Sequence, residues 1–249
     1  SAHLFSALGF SEIARAEPYA ALLESGIGSI DAYCRELTEK VKGLPPGPRA
    51  AAVVNCNPFT LGHKALIAKA AAENASVVVM VVEEDRSLFP FAARFELVRQ
   101  GLSEYKNILI LPGGKYVISS ATFPAYFIRG DEVAVAQTRL DISVFARHIA
   151  PALGVTSRYA GDEPCCGVTD IYNQAMLEIL PSHGIKVRVM ARLTAEGNVP
   201  VSASRVREFI RQDNWNEISR LVPETTYRYL RSPEAAPVID LVKTSGSRH

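Results

Sequence analysis

The chain has 249 residues, 48% hydrophobic and 21% charged, which suits a globular protein able to bury a full core. Its 27 Lys plus Arg against 26 Asp plus Glu leave a formal charge of +1, which gives no support to non-specific nucleic-acid binding or attraction to a membrane surface. Of four cysteines, Cys165 and Cys166 are adjacent and Cys34 and Cys56 are far away; with no C-x-x-C spacing, a reduced, cytoplasmic setting is expected.

The first element in chain order is a helix over Ile30 to Val41, whose apolar spacing predicts packing onto a larger body. The stretch Lys42-Gly43-Leu44-Pro45-Pro46-Gly47-Pro48 marks a boundary. Strand-like and helix-like segments then alternate. Ala50–Asn55 reads as a strand, Gly62–Glu73 as a helix, Ser76–Val82 as a strand and Ala92–Ser103 as a helix. Asn107–Leu111 reads as a strand closed by Pro112-Gly113-Gly114, and Thr122–Ile128 as a short helical turn. Ser143–Leu153 suits a helix, Ser157–Ala160 a strand, Thr169–Leu180 a helix and Lys186–Met190 a strand. Ala203–Gln212 and Trp215–Leu221 close the pattern as helices, and the Pro- and Ser-bearing stretch 232–249 reads as a flexible tail. The run Ala75 to Val82 is too short to span a bilayer. No basic start followed by an apolar core marks a signal peptide. Alternation with Val/Ile-rich strands predicts an α/β fold, a Rossmann-like doubly wound parallel sheet with a C-terminal helical segment.

Ligands of such sheets sit at the carboxyl ends of strands. There, Asn55-Cys56-Asn57-Pro58-Phe59-Thr60-Leu61-Gly62-His63 leaves the first strand and opens a helix. Thr60 can cap it, Gly62 permits close backbone approach, and the first-turn amides favour an anion. His63 adds a donor for charge developing on pyrophosphate, and Lys64 a cation. Taken alone, these residues equally describe a capped helix with His63 as a packing or surface residue. A second junction, Val201-Ser202-Ala203-Ser204-Arg205-Val206-Arg207, offers two hydroxyls at another helix start. Arg205 and Arg207 lie two apart and so diverge by about 200° on a helix, so only one of them faces a site. A plain serine cap with solvated arginines reads the same residues.

Together the two junctions resemble the HxGH and ISxTxxR signatures of a nucleotidyltransferase superfamily, with Thr60 for the first His, Val201 for Ile and Ser204 for Thr. The resemblance extends to the citrate lyase ligase family through Asn57 to His63, Val82-Glu83-Glu84-Asp85, Phe89-Pro90-Phe91 and Ala121-Thr122-Phe123-Pro124. Ile149-Ala150-Pro151-Ala152-Leu153-Gly154 and Tyr172-Asn173-Gln174-Ala175-Met176 complete it, in order over about Ala50 to Leu230. The resemblance implies a ligase domain over 49–231, a helix and linker over 30–48, and residues 1–29 as the end of a truncated N-acetyltransferase-like domain. It also implies the reaction. ATP, acetate and the thiol prosthetic group of the citrate lyase acyl-carrier subunit give AMP, pyrophosphate and the acetyl-thioester, with Mg²⁺ as ATP's counter-ion.

Thr60, His63 and Arg207 are then expected to be catalytic. Ser202 and Ser204 hold phosphates, with Val201 and Arg205 beside them; Asn55, Asn57, Pro58, Phe59, Gly62 and Lys64 line the nucleotide. Gly161-Asp162-Glu163 stands where a base or ribose is read, or is a solvated acidic turn. Asp141 fits the family pattern or caps a helix, Lys115 is read as a surface cation, His148 as packing, and Cys165-Cys166 as inert thiols. An adenylyltransferase for a phosphopantetheine-like or nucleotide acceptor, or a nucleotide-binding module without chemistry, shares the same two motifs.

Overall fold

A computed structural model describes residues 2–27, 29–83, 87–117, 130–162, 167–195 and 199–245. Its centre is a five-stranded, all-parallel sheet of β3 (Arg49–Val54), β4 (Ser76–Val81), β5 (Ile108–Pro112), β6 (Ser157–Gly161) and β7 (Lys186–Met190). These are numbered after a hairpin, β1 (Ser11–Ala16) and β2 (Ala20–Glu24), near the N-terminus. The order across the sheet is β5-β4-β3-β6-β7. The chain therefore winds one way from β3 and then crosses to the other side, leaving a switch point between β3 and β6.

Strand composition explains why both faces are covered. Every residue of β4 is buried, and each valine there contributes about 1.5–3 kcal/mol relative to exposure. Alternate residues serve opposite layers. Ala50, Ala52, Val54, Val77 and Val79 pack with Leu66 and Ile67 of α3 (Leu61–Glu73) and Leu97 and Val98 of α4 (Phe91–Gly101). Ala51, Val78 and Met80 join a cluster built by α2 (Ile30–Val41), α5 (Gly130–Val144) and α7 (Gly167–Ile179). These labels follow α1 (Ala2–Ser6) at the start of the chain. The expected packing of α2 is seen: Leu37 and Val41 are buried in that cluster, and Thr38 Oγ1 donates to Ala152 O at 3.0 Å.

Two segments differ from expectation. The helix read from Ser143 begins at Gly130, with Ala136 and Leu140 buried one turn apart. It runs into a π-turn (Phe145–Ile149) before α6 (Ala150–Leu153). Pro151 supplies the reason: it has no N–H and crowds the preceding turn, and the widened turn, with Ala150 N–H on Phe145 O, makes room. Asp141 therefore lies inside a helix and is not a cap; it accepts a hydrogen bond from the buried Tyr172 hydroxyl.

The second difference is the tail. Ser232 to Thr244 is ordered: a 3-10 turn (Pro233–Ala235) leads into a last helix (Ala236–Thr244). Both prolines stand in first turns, where a missing N–H costs nothing, and Val238 and Val242 bury one helical turn apart. They pack with α8 (Ala203–Arg211), α9 (Trp215–Ser219) and α10 (Glu224–Leu230) in a separate helical cluster with Phe89 and Val201. The last helix is α11. A small pair, β8 (Thr194–Ala195) and β9 (Val199–Pro200), feeds α8. The readings at Glu84, Asp85, Thr122–Ile128, Glu163, Cys165 and Cys166 lie outside the described residues.

Candidate functional site

The first junction starts where β3 ends. Asn55 O and Oδ1 each accept from Arg94 Nη1 at 2.8 Å, and Asn55 Nδ2 donates to Ser87 Oγ at 3.0 Å. Cys56 follows at φ 54°, a left-handed conformation rare outside glycine, and its buried thiol is pushed far up in pKa by desolvation. It is a packing residue. Asn57 Oδ1 accepts from Phe89 N–H at 3.0 Å, which fixes the turn through buried Pro58. Phe59 is wholly buried and stacks beneath the His63 ring, centroids 5.9 Å apart and planes 15° apart.

Thr60, only 1% exposed, caps α3, and the cap is reciprocal. Its Oγ1 accepts from His63 N–H at 3.4 Å, and its own N–H donates to His63 Nδ1 at 3.1 Å. With Nδ1 accepting, the ring proton belongs on Nε2. Burial first, and the charge of Arg192 second, lower the His63 pKa from 6.5 to about 4. His63 is thus a neutral, oriented N–H donor at pH 7. Of the first-turn amides, Leu61 N–H is taken by Leu221 O at 2.9 Å and His63 N–H by Thr60, while that of Gly62 has no partner among the described residues.

The second junction closes on the first. Ser202 caps α8, accepting from Arg205 N–H at 3.2 Å. Val201 lies so close to Gly62 that a Cβ there would sit 3.2 Å from Val201 O, a tight contact that favours glycine at position 62. Arg207 is 4% exposed, and it donates through Nη1 to Asn57 O and through Nη2 to Ser204 Oγ at 3.3 Å. Arg205 turns the other way, pairing with Glu208 at 2.8 Å over the Phe209 ring, as two-residue spacing on a helix demands.

The structure therefore brings together Asn57, Pro58, Phe59, Thr60, Gly62, His63, Val201, Ser202, Ser204 and Arg207. It does not bring Lys64, which pairs with Glu104 at 3.1 Å, or Arg205. Gly161 and Asp162 end β6, next to β3 across the switch point; Asn173 Nδ2 donates to Gly161 O at 3.3 Å and Asp162 N–H to Met190 O at 2.8 Å. Their companion Glu163 is not among the described residues. Lys115 is exposed over the Tyr116 ring at 4.9 Å, and His148 Nε2 bonds Ile13 O at 2.9 Å, a packing contact.

Three arginines carry weight that sequence reasoning missed. Arg94, fully buried, grips Phe89 O at 2.9 Å, Val82 O at 2.7 Å and Asn55, tying the ends of β3 and β4 together. Arg158 lies over Phe145 at 4.2 Å and donates to Tyr172 Oη at 2.8 Å, in a buried network with Asp141. Arg192 acts on His63. The signal for Arg94 was present as an arginine one turn after Phe89-Pro90-Phe91; the other two have none in their local sequence.

Among the described residues no group of three or more His, Cys, Asp or Glu could hold a metal ion. Among the same residues no helix is long and apolar enough to cross a membrane.

The family model described as citrate lyase ligase C-terminal domain matches residues 49–230. The citrate (pro-3S)-lyase ligase of Klebsiella pneumoniae is 41% identical over 236 residues, covering 92% of this chain and 68% of the relative. That of Haemophilus influenzae is 38% identical over 238 residues, covering 92% and 70%. A solved structure of pantoate-beta-alanine ligase from Francisella tularensis, complexed with beta-gamma ATP and beta-alanine, aligns with TM-score 0.48 at 13% identity over 82% of this chain and 79% of its own.

Proposed function

Because the chain belongs to the citrate lyase ligase family, we propose that it joins acetate to the thiol prosthetic group of the citrate lyase acyl-carrier subunit at the expense of ATP, thereby activating citrate lyase. The observation that carries this reading is the closure of two helix starts into one site: Gly62 lies against Val201, and Arg207 reaches the Asn57 carbonyl.

Two steps follow. An acetate oxygen attacks the α-phosphorus of ATP, the bond to the β-phosphate oxygen breaks, and acetyl-adenylate and pyrophosphate form. The carrier thiolate then attacks the acetyl carbon, AMP leaves, and the thiol proton passes to solvent. The first step requires alignment and charge stabilisation more than covalent help. His63 Nε2–H is the donor directed at the phosphoryl oxygens as negative charge shifts to pyrophosphate. Because the imidazole is neutral, it donates without becoming a stronger anion trap in the ground state. Thr60 acts by holding the ring through the reciprocal cap. The Gly62 amide and the α3 dipole face the same anion. Ser202 and Ser204 offer hydroxyls to the outer phosphates, with Arg207 fixing Ser204 and the Asn57 turn. Gly161 and Asp162, across the switch point, stand on the ribose and base side. Mg²⁺ enters with ATP, held by phosphates and water. Burial and a raised pKa make Cys56 unsuited to carry an acyl group, and the thiol of this reading is the partner's prosthetic group.

ATP–pyrophosphate exchange tests the reading. Exchange that requires acetate, together with acetylation of reduced carrier subunit, is the expected result. Exchange indifferent to acetate overturns it in favour of a different acceptor.

A further inference from the structure

β3 ends in one outward-facing polar side chain. From Val54 to Thr60 every residue is buried except Asn55, and the left-handed turn at Cys56, φ 54°, separates it from the inward Cys56 and Asn57. A residue with a side chain adopts that conformation at a cost, so the packed turn holds Asn55 in place. The Asn55 amide has a defined orientation. Arg94 only donates, so the atom that meets its Nη1 at 2.8 Å is Oδ1, and the amide NH2 is the group directed at Ser87. Nδ2 donates to Ser87 Oγ at 3.0 Å, and Ser87 Oγ in turn donates to Asn55 Oδ1 at 3.3 Å. Arg94 is wholly buried and also holds Asn55 O at 2.8 Å and Val82 O at 2.7 Å. The rigid part of this group thus lies beneath, and an amide and a hydroxyl stand above it at the carboxyl ends of β3 and β4.

We infer that Asn55 and Ser87 bind the acid substrate: one carboxylate oxygen accepts from Asn55 Nδ2 and the Ser87 hydroxyl while the other attacks ATP. In an in-line displacement the entering oxygen stands opposite the departing one. The reading above gives the pyrophosphate to His63, the Gly62 amide and the α8 hydroxyls. The acid then enters at the far end of the turn that Asn55 opens and Thr60 closes. Two neutral donors suit a nucleophile, because they fix one oxygen without the charge pairing that would dull the other. Both have a hydrogen to give. The second N–H of Nδ2 has no partner among the described residues, and the Ser87 hydroxyl can turn from its long contact with Oδ1 to a carboxylate oxygen. Arg94 is the positioning residue, since it sets which edge of the Asn55 amide meets the substrate.

This inference rests on the acetate-ligase reading above, and measurements on the full chain separate the two: the acetate concentration that half-saturates ATP–pyrophosphate exchange, and MgATP affinity by calorimetry. Asn55→Asp keeps an acceptor for Arg94 but sets a second carboxylate against acetate. It should raise the half-saturating acetate about tenfold to a hundredfold, the worth of one hydrogen bond to a charged group. Ser87→Ala removes a single part-exposed hydroxyl and should raise it about threefold to tenfold. MgATP affinity should stay within about twofold of wild type in both. Should Asn55→Asp melt early, Ser87→Ala carries the test alone. A half-saturating acetate concentration that stays put in variants of native melting temperature overturns the inference. So does an MgATP affinity that falls as far as that for acetate, which returns Asn55 and Ser87 to the nucleotide. Wild-type exchange that ignores acetate removes the ligase reading and this inference together, whereas acetate-dependent exchange with indifferent variants removes only the inference.

Discussion

The two helix starts that form the site are built from the same part and used differently. Each has a hydroxyl cap accepting from the backbone N–H three residues on, Thr60 from His63 and Ser202 from Arg205. At the first, Thr60 and Phe59 are buried, and the part-buried His63 ring is neutral at pH 7, its pKa lowered by burial and then by the charge of Arg192. At the second, Ser204 is exposed, and Arg205 and Arg207 of the helix have opposite fates. A buried, oriented donor suits a bond-breaking event, because its position costs no reorganisation. An open, hydroxyl-lined rim suits holding an anion that must arrive and leave.

The largest effect expected from breaking this division is at His63. His63→Ala should lower exchange about a hundredfold to a thousandfold, the usual cost of one preorganised donor. A drop of less than about tenfold, with native folding, moves the donor role to the second junction. The buried neutral state also predicts a pH dependence. The folded pKa of about 4 lies below the unfolded 6.5, so the unfolded chain takes up the proton first. Stability from this group is full above pH 6.5 and is lost as pH falls toward 4. Urea denaturation at pH 7 and pH 5 should show wild type losing about 2 kcal/mol more than His63→Gln. Equal losses would mean the ring is protonated in the fold.

Arg207→Ala comes next. It strips a buried carbonyl, Asn57 O, of its donor and should cost about 1–3 kcal/mol, together with looser ATP binding as the two junctions part. Thr60→Ala should cost about 1 kcal/mol through the lost cap and reduce exchange only modestly, because the Thr60 N–H still holds His63 Nδ1 while the Oγ1 contact to that nitrogen at 3.0 Å is lost; Thr60→Ser restores both. Exchange unchanged in Thr60→Ala removes the Thr60 hydroxyl from the mechanism.

Much of this was legible before any coordinates. The parallel sheet follows from buried Val-rich strands alternating with helices, and both caps stand in the local sequence as Thr60 and Ser202. The divergence of Arg205 and Arg207 follows from helix geometry alone, but which arginine turns inward does not: Arg207 finds Asn57 across 150 residues of chain, and only the packed fold sets that distance. Arg192 was missed for the same reason, since nothing near it in sequence mentions His63. The helix over Ala236–Thr244 was hidden by prolines that read as breakers, yet sit where a first turn tolerates them. Lys64 looked like a phosphate ligand because it follows His63, but one residue further round the helix its side chain leads to Glu104.

The smallest effect is expected where the second junction faces solvent. Arg205 and Glu208 are each near 40% exposed, and a pair of that kind contributes about 0–1 kcal/mol after screening and side-chain entropy. The guanidinium also lies over Phe209, 5.0 Å from the ring centroid, so some packing goes with the charge. Arg205→Ala should therefore leave the melting temperature nearly in place and ATP affinity within about threefold of wild type, in contrast to Arg207→Ala on the same helix. The contrast is the sharper measurement. If Arg205→Ala weakens MgATP as much as Arg207→Ala does, while stability stays native, Arg205 leaves Glu208 for phosphate when nucleotide binds. Both arginines would then serve the anion, and the second junction would hold its ligand by charge and not by hydroxyls alone.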